Sequence, residues 1–113
     1  MKSSILATFV GAATAVELTG KNFDELTFGK AVFLKFFSPG CHHCQKVAPA
    51  WEAMRAEFEN HENVLIGEVD CAGTGKSLCN ALIIDGFPSF KYGDPIALQD
   101  YEGTSYVITS TNY

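Results

Sequence analysis

Two cysteines that stand between an apolar segment and a helical pattern constrain this chain more than any other feature. The apolar segment is Ala31–Phe37, a Pro39-Gly40 turn follows it, and Cys41 and Cys44 open the amphipathic pattern. This order predicts a strand, a turn, a dithiol and a helix. The two-residue spacing allows a small disulfide ring, and the first sulfur would lie near the unpaired amides and the positive dipole of the helix N-terminus.

The sulfur of Cys41 is the predicted nucleophile. A helix N-terminus favours the thiolate, which is the attacking species in thiol–disulfide exchange, and Cys44 would be the more buried, resolving partner. His42 and His43 stand between the two cysteines. Cationic imidazoles stabilise a reduced dithiol, so both histidines are candidate site residues that favour disulfide donation or rearrangement over reduction. The alternative is that His42 is simply solvated.

Residues 41–44 resemble the active site of a thioredoxin-fold domain, and His43 matches the C-x-H-C form that is typical of protein disulfide isomerases. The resemblance covers roughly residues 16–103, because four further segments follow the family's order and spacing. These are Val16-Glu17-Leu18-Thr19, Asn22-Phe23-Asp24, Val69-Asp70-Cys71 and Gly86-Phe87-Pro88-Ser89-Phe90. The resemblance implies the α/β thioredoxin fold, a central mixed sheet flanked by helices. It implies no organic cofactor and no metal, since the cysteine pair is itself the redox centre.

Hydrophobic periodicity predicts elements that agree with this architecture. The predicted strands cover residues 16–18, 31–37, 64–69, 89–92 and 98–102, and the predicted helices cover residues 22–28, 41–58 and a short segment ending near residue 82. The first helix would bury Phe23 and Leu26, and the last two strands would join near Gly93-Asp94-Pro95. Residues 104–113 are poor in helix formers, so the C-terminal helix of such domains is predicted to be short or missing.

The central strand and the long helix are predicted from apolar faces. In the segment Ala31–Phe37 both faces are apolar apart from Lys35, as a strand covered on both sides requires. The long helix has one apolar stripe, which consists of Val47, Trp51, Met54 and Phe58. This stripe continues past Pro49, which predicts a kink rather than a helix end.

Composition and the first residues indicate the compartment. A chain of 113 residues with a net charge of −5 is one domain, and the negative charge argues against nucleic-acid binding. Residues 1–15 combine a basic start, a short apolar run and a small-residue site after Ala15, which predicts a secretory signal peptide followed by a thioredoxin-like domain over residues 16–113. An N-terminal strand or a disordered tail is the alternative. We expect a monomer in the endoplasmic reticulum lumen or outside the cell, with no membrane contact after cleavage.

The resemblance also implies how the four cysteines pair. Four cysteines allow three pairings, and several disulfide isomerase domains have a second disulfide at the place of Cys71 and Cys79. Closing so short a loop would contribute about 2 to 3 kcal/mol. Two buried thiols that never pair are the alternative.

Substrate contacts are implied at Phe87, Pro88 and Gly40. Phe87-Pro88 resembles the cis-proline loop that lies beside the dithiol and lends backbone groups to an extended substrate, whereas a trans turn proline is the alternative. Gly40 takes the place of a tryptophan that is frequent in the family, which would alter the apolar rim around the first cysteine. Zinc is disfavoured because four consecutive residues cannot readily surround one ion and His61 is the only other histidine.

Lys35 and Glu68 depart from the family pattern together. Lys35 stands where a buried carboxylate is usual, and Glu68 stands where a lysine is usual. We expect a swapped ion pair beneath Cys44, because a lone buried lysine would be costly, and Glu68 or a water beside it could then move a proton. The alternative is a Lys35 side chain that reaches solvent.

The sequence therefore predicts a thiol–disulfide oxidoreductase of the protein disulfide isomerase type. Its partners would be protein or peptide thiols and disulfides, with glutathione or an oxidase recharging the dithiol. Two alternatives stay open: a redox-inactive module that binds unfolded polypeptides, and a thioredoxin-like disulfide reductase.

Overall fold

The sheet is built around the apolar segment that precedes the dithiol. The computed structural model describes residues 16–102. Its strands are β1 (Val16–Glu17), β2 (Ala31–Phe37), β3 (Val64–Asp70), β4 (Ser89–Asp94) and β5 (Ala97–Asp100), and its helices are α1 (Phe23–Thr27), α2 (His42–Phe58) and α3 (Lys76–Ala81). The strand order is β1-β3-β2-β4-β5, with β1, β3 and β2 parallel and β4 and β5 antiparallel to their neighbours. The predicted mixed sheet is confirmed.

Strand β2 lies in the middle of this sheet and is covered on both faces. On one face Val32, Leu34 and Phe36 join the cluster that includes residues of α1 and α3. On the other face Phe33 packs against the cluster formed by the buried side of α2. Burial on both sides explains why the segment is apolar almost throughout, and helices on both faces are what the sequence predicted.

Helix α2 buries the predicted stripe and continues through its proline. Val47, Trp51 and Met54 are buried, and Pro49 is exposed within the helix. The Trp51 ring lies 5.5 Å from Phe33 and 5.7 Å from Phe90, measured between ring centroids. These aromatic contacts hold α2, and with it the dithiol at its N-terminus, against β2 and β4.

A disulfide joins Cys71 and Cys79 on the face of the sheet that carries α1 and α3. Their Cα atoms are 5.6 Å apart, and Cys79 is buried in the same cluster as Leu78 and Val69. The bond ties α3 to the end of β3, so the segment that leads from α3 toward Pro88 starts from a fixed point.

Helix α1 differs from its prediction. Phe23 is buried as expected, but Leu26 is exposed and Thr27 is buried instead. In so short a helix the inward positions are four residues apart, and the Thr27 hydroxyl is satisfied because it donates a hydrogen bond to the carbonyl of Phe23 at 2.7 Å. The prediction for Leu26 was wrong because it relied on apolarity alone.

The final hairpin also differs from its prediction. Its turn residues are Pro95 and Ile96, and Gly93 lies within β4 with a φ of 106°. The Asp94 carboxylate accepts a hydrogen bond from the amide of Ile96 at 3.0 Å, which stabilises this tighter turn. Strand β5 consequently begins one residue earlier than predicted and ends at Asp100.

Two predictions lie outside the described residues: the signal peptide over residues 1–15 and the short or missing helix after residue 103. Within residues 16–102, no helix combines the length and the apolarity that crossing a membrane requires.

Candidate active site

The two free sulfurs lie at the first turn of α2. Cys41 is the N-cap residue, with extended backbone angles, and its Sγ accepts a hydrogen bond from the backbone N–H of Cys44 at 3.0 Å. The bond uses one of the amides that a helix N-terminus leaves unpaired. Cys41 is half-buried, whereas Cys44 is buried. A partly exposed sulfur that receives an amide hydrogen bond is suited to be the attacking group.

Cys44 has the opposite environment. The pKa of Cys44 is raised to about 11, chiefly by burial and next by a hydrogen bond with the Cys41 side chain. A backbone group of Ser38 and the positive charge of Lys35 lower the pKa but do not outweigh burial. Cys44 is therefore a thiol at neutral pH, and it needs a proton acceptor before it can attack.

Lys35 and Glu68 face each other on adjacent strands, as the sequence led us to expect. They are directly paired in the parallel register of β2 and β3, and Lys35 Nζ lies 3.6 Å from Glu68 Oε2. The Lys35 side chain is only 9% exposed and that of Glu68 is 23% exposed. The ammonium also lies over the Trp51 ring at 5.2 Å, a cation–π arrangement that helps hold it under α2. The structure thus places a buried cation close enough to Cys44 to act on its pKa.

An open groove of about 640 Å³ begins beside the dithiol. It is bounded by the first turns of α2, by the segment after α3, and by the paired strands β4 and β5. His43 and Pro88 line it together, so the groove reaches the first turn of α2, which carries the cysteine pair, although neither cysteine lines it. A cleft of this size is large enough to accept a segment of polypeptide.

The peptide bond between Phe87 and Pro88 is cis, and it ends the segment that bounds the groove. The Ser89 hydroxyl donates a hydrogen bond to the carbonyl of Gly86 at 2.6 Å, which closes this loop on itself. The Phe87 side chain is 41% exposed. The exposed aromatic ring of Phe87 leaves the loop available for contact with a bound chain.

The other candidate residues are all at the surface. His42 and His43 are both exposed. His43 lines the groove, whereas His42 is not part of its lining. At Gly40 a β-carbon would meet no atom within 4 Å, so the rim beside Cys41 is open at this point. Among residues 16–102, no three His, Cys, Asp or Glu side chains are grouped so that they could hold a metal ion.

Sequence reasoning missed the far wall of the groove. Ile83 and Asp85 line it, and Ile83 has a positive φ of 58°. The available signal was the pair of isoleucines that follows Leu82, the C-cap residue of α3, since it offers no glycine where a short helix must end. The contact of the Ser38 backbone with Cys44 was also missed, since no sequence pattern reports it.

A comparison with protein-family models decides the family. The thioredoxin model matches residues 14–108, which is most of the chain. The chain belongs to the thioredoxin family. This thioredoxin domain has its Cys41 and Cys44 close together, as a C-x-x-C motif at a helix N-terminus requires.

Individual relatives of this thioredoxin domain carry disulfide isomerase names. It is 43% identical over 106 residues to a protein disulfide-isomerase-like protein of Emiliania huxleyi, covering 91% of this chain and 46% of that one. It is 44% identical over 77 residues to human protein disulfide-isomerase A2, covering 66% of this chain and 14% of that one. The chain therefore spans about half the length of one relative and a small part of the other.

Solved structures support the fold directly. The first two thioredoxin domains of Eps1p from Naumovozyma dairenensis match with a TM-score of 0.72 and 30% identity, over 87% of this chain and 38% of that one. The sheet order and the flanking helices described above are thus those of a thioredoxin fold.

Proposed function

We propose that this protein is a thiol–disulfide oxidoreductase that forms or rearranges protein disulfides through Cys41 and Cys44. One observation carries the proposal: a half-exposed Cys41 sulfur accepts the Cys44 amide at the helix N-terminus, while the Cys44 thiol lies buried behind it. This asymmetry separates an attacking cysteine from a resolving one. Family membership and isomerase-named relatives support the same reaction class.

In the first step the Cys41 thiolate attacks one sulfur of a substrate disulfide. A bond forms between Cys41 Sγ and that sulfur, the substrate disulfide breaks, and the other substrate sulfur leaves as a thiolate. The hydrogen bond from the Cys44 amide stabilises the negative charge on Cys41 before the attack. His43 lies at the groove, where an imidazolium could donate a proton to the departing thiolate.

In the second step Cys44 attacks the sulfur of Cys41 and releases the substrate as a thiol. The Cys44 proton must leave first, and the high pKa of Cys44 makes this step slow at neutral pH. A slow second step gives a neighbouring substrate thiol time to attack the mixed disulfide instead, which rearranges the substrate. The reverse sequence, starting from the Cys41–Cys44 disulfide, oxidises a substrate dithiol.

Lys35 and Glu68 serve the second step in this proposal. The Lys35 ammonium stabilises the developing Cys44 thiolate, because it lies in a poorly solvated site under α2. Glu68 is more exposed than Lys35, so it can pass a proton to water while it balances the buried cation. The pair thus offers both a charge and a route for the proton.

Substrates would be polypeptides that lie in the groove against Phe87 and Pro88, past the open rim at Gly40. Glutathione or an oxidase would recharge the dithiol. Residues 1–15, as a secretory signal, would deliver the domain of residues 16–113 to the endoplasmic reticulum lumen or out of the cell, where an oxidising environment keeps Cys71 and Cys79 paired. No nucleic acid, membrane, metal or organic cofactor enters this proposal.

The reduction potential of the Cys41–Cys44 pair tests the proposal. The protein is equilibrated against glutathione buffers, alkylated, and the two redox forms are measured by mass spectrometry. We expect a potential near or above about −200 mV, at the oxidising end of the range for such domains. A value near about −270 mV would instead indicate a reductase.

Complete failure to exchange with glutathione would refute the oxidoreductase and favour a binding module. A Cys71→Ala/Cys79→Ala variant is the matched control, because it leaves only the proposed redox pair. Its alkylation pattern must match that of the wild type at each potential if Cys41 and Cys44 alone respond.

A further inference from the structure

Ile83 occupies a backbone position that favours glycine. Helix α3 has Leu82 as its C-cap, so Ile83 is the next residue, where helices commonly turn left-handed. The Ile83 amide donates to the carbonyl of Asn80 at 3.2 Å, and the Ile84 amide donates to the carbonyl of Cys79 at 3.0 Å. These two bonds are the Schellman pattern, and they hold the φ of Ile83 at 58°.

This conformation is unfavourable for a β-branched side chain, and packing within the domain does not offset its free-energy cost. A β-branched residue with positive φ is a true outlier, which persists only where the surroundings enforce it. Here the Cys71–Cys79 disulfide anchors the helix end, and Ile84 packs against the core. Ile83 itself is 82% exposed, so its side chain gains little from burial.

The exposed side chain borders the candidate active-site groove. Ile83 lines the groove opposite the α2 residues, which include His43 next to the dithiol. Glycine would fit the backbone better, yet it would offer the groove no apolar surface. We propose that Ile83 is a specificity-determining residue that contacts an apolar side chain of the polypeptide bound beside Cys41.

The expected ligand is an extended polypeptide with an aliphatic side chain next to its reacting cysteine. The groove lining includes charged side chains such as Lys46, Asp85 and Glu102. Its other aliphatic residues, Val47 and Ile84, are buried or half-buried, so Ile83 is the most exposed aliphatic side chain that lines it. An aliphatic partner would remove the Ile83 side chain from water, whereas a polar partner would not. The inference rests on the proposed function, which identifies the groove as the substrate site. Peptide binding can nevertheless be measured without thiol–disulfide exchange.

The experiment uses two ten-residue peptides in which serine replaces the reacting cysteine. One peptide has leucine on both sides of that serine, and the other has serine on both sides. Binding to the full chain is followed through amide chemical shifts, for the wild type, Ile83→Asn and Ile96→Asn. Asparagine tolerates the left-handed conformation, and Ile96 is an equally exposed isoleucine in the β4–β5 turn, away from the groove.

We expect the wild type and Ile96→Asn to bind the leucine peptide about tenfold more tightly than the serine peptide, as partial burial of an isoleucine implies. Ile83→Asn should reduce this ratio to about twofold or less, without lowering the melting temperature, because the backbone strain is relieved. If Ile83 had only a structural role, Ile83→Asn would weaken the binding of both peptides alike and leave the ratio of the two affinities unchanged.

The inference is overturned if Ile83→Asn retains the tenfold preference, or if the wild type binds both peptides equally. The same protein samples are then given the cysteine-containing peptides as disulfides. Selective binding without exchange refutes the proposed function and leaves the inference standing, whereas exchange without selectivity does the reverse. Ile83→Val must keep most of the preference, since it retains an aliphatic side chain.

Discussion

The two cysteine pairs of this domain could each form a disulfide, but they lie in different places and are in different redox states. Cys41 and Cys44 lie at the start of the long helix α2 as free thiols, one half-buried and one buried. Cys71 and Cys79 enclose a loop and are bonded to each other, with Cys79 buried in the core. Under the proposed function, position at a helix N-terminus therefore separates the reactive pair from the structural one.

The surroundings of the two pairs differ in charge as well as in access. Lys35 acts on Cys44 from a buried site, whereas the cluster around Cys79 consists of apolar side chains. A thiolate that forms next to a buried ammonium is stabilised. Aliphatic groups give a sulfur no such stabilisation, so packing determines whether it is bonded or a free thiol. Substitutions that remove one cysteine pair, or the charge beside it, test whether these surroundings determine which pair reacts.

The largest expected effect is that of Cys41→Ser. Removing the attacking sulfur should lower the exchange rate with a disulfide peptide at least about a thousandfold, since the nucleophile has no substitute. The free energy of unfolding should change by no more than about 0.5 kcal/mol, because the side chain is half-exposed and serine can also cap the helix. Stopped-flow kinetics and urea unfolding measure the two quantities. Substantial residual exchange would show that another cysteine attacks.

The complementary change is Cys71→Ala/Cys79→Ala. Opening this loop should lower the free energy of unfolding by about 2 to 3 kcal/mol, because the unfolded chain regains the entropy of an open loop. Urea unfolding of the wild type and the variant, each with Cys41 and Cys44 alkylated, measures this difference. The exchange rate of the folded, unalkylated variant should stay within about twofold, and a large loss of rate would mean that the second pair takes part in the redox cycle.

Lys35→Met should have an intermediate effect, confined to the second step. Without the nearby cation the pKa of Cys44 rises further, so resolution of the mixed disulfide at pH 8 should slow by about threefold, because the cation affects this pKa less than burial does. In the wild type the same rate should increase with pH toward about 11, since only the thiolate attacks, and the variant's profile should move to higher pH. Stopped-flow decay of a mixed disulfide, from pH 6 to 10, measures both profiles.

Two matched variants sharpen this test. Lys30→Met removes a lysine that precedes β2 and whose ammonium donates to the carbonyl of Glu62, so the resolution rate should not change. Glu68→Gln keeps the shape but leaves Lys35 unbalanced, which should lower the free energy of unfolding by about 1 to 3 kcal/mol. Identical pH profiles for wild type and Lys35→Met would remove Lys35 from the mechanism.

The fold and the position of the two free cysteines could be predicted because they depend on local patterns. Apolar runs and a stripe at helical spacing define β2 and α2, and the C-x-x-C motif falls where one gives way to the other. The Lys35 and Glu68 positions could be compared with a known family, and parallel register then brought them together. Each of these inferences needed only residue types, their spacings and the resemblance to that family.

The features that were missed depend on tertiary geometry. Leu26 is apolar but exposed, and the polar Thr27, one position further on, takes the buried place four residues after Phe23. The groove wall at Ile83 exists because a helix end, a disulfide and a loop meet there, and none of these alone predicts a left-handed isoleucine. Sequence patterns report what a segment prefers, whereas these positions are set by what surrounds them.

The smallest expected effect separates the two histidines between the reactive cysteines. Both are exposed, so their charges act on the dithiol largely through water, but only His43 of the two lines the groove. His42→Gly should lower the reduction potential by no more than about 10 mV, and His43→Gly by about 15 to 30 mV, which corresponds to about 0.7 to 1.4 kcal/mol. Equilibration of both variants against glutathione buffers measures the two shifts.

His61→Gly is the control, because this third histidine follows the far end of α2 and should leave the potential unchanged. If His42→Gly shifts the potential as much as His43→Gly, then proximity along the chain, and not orientation toward the groove, determines how an imidazole tunes the pair.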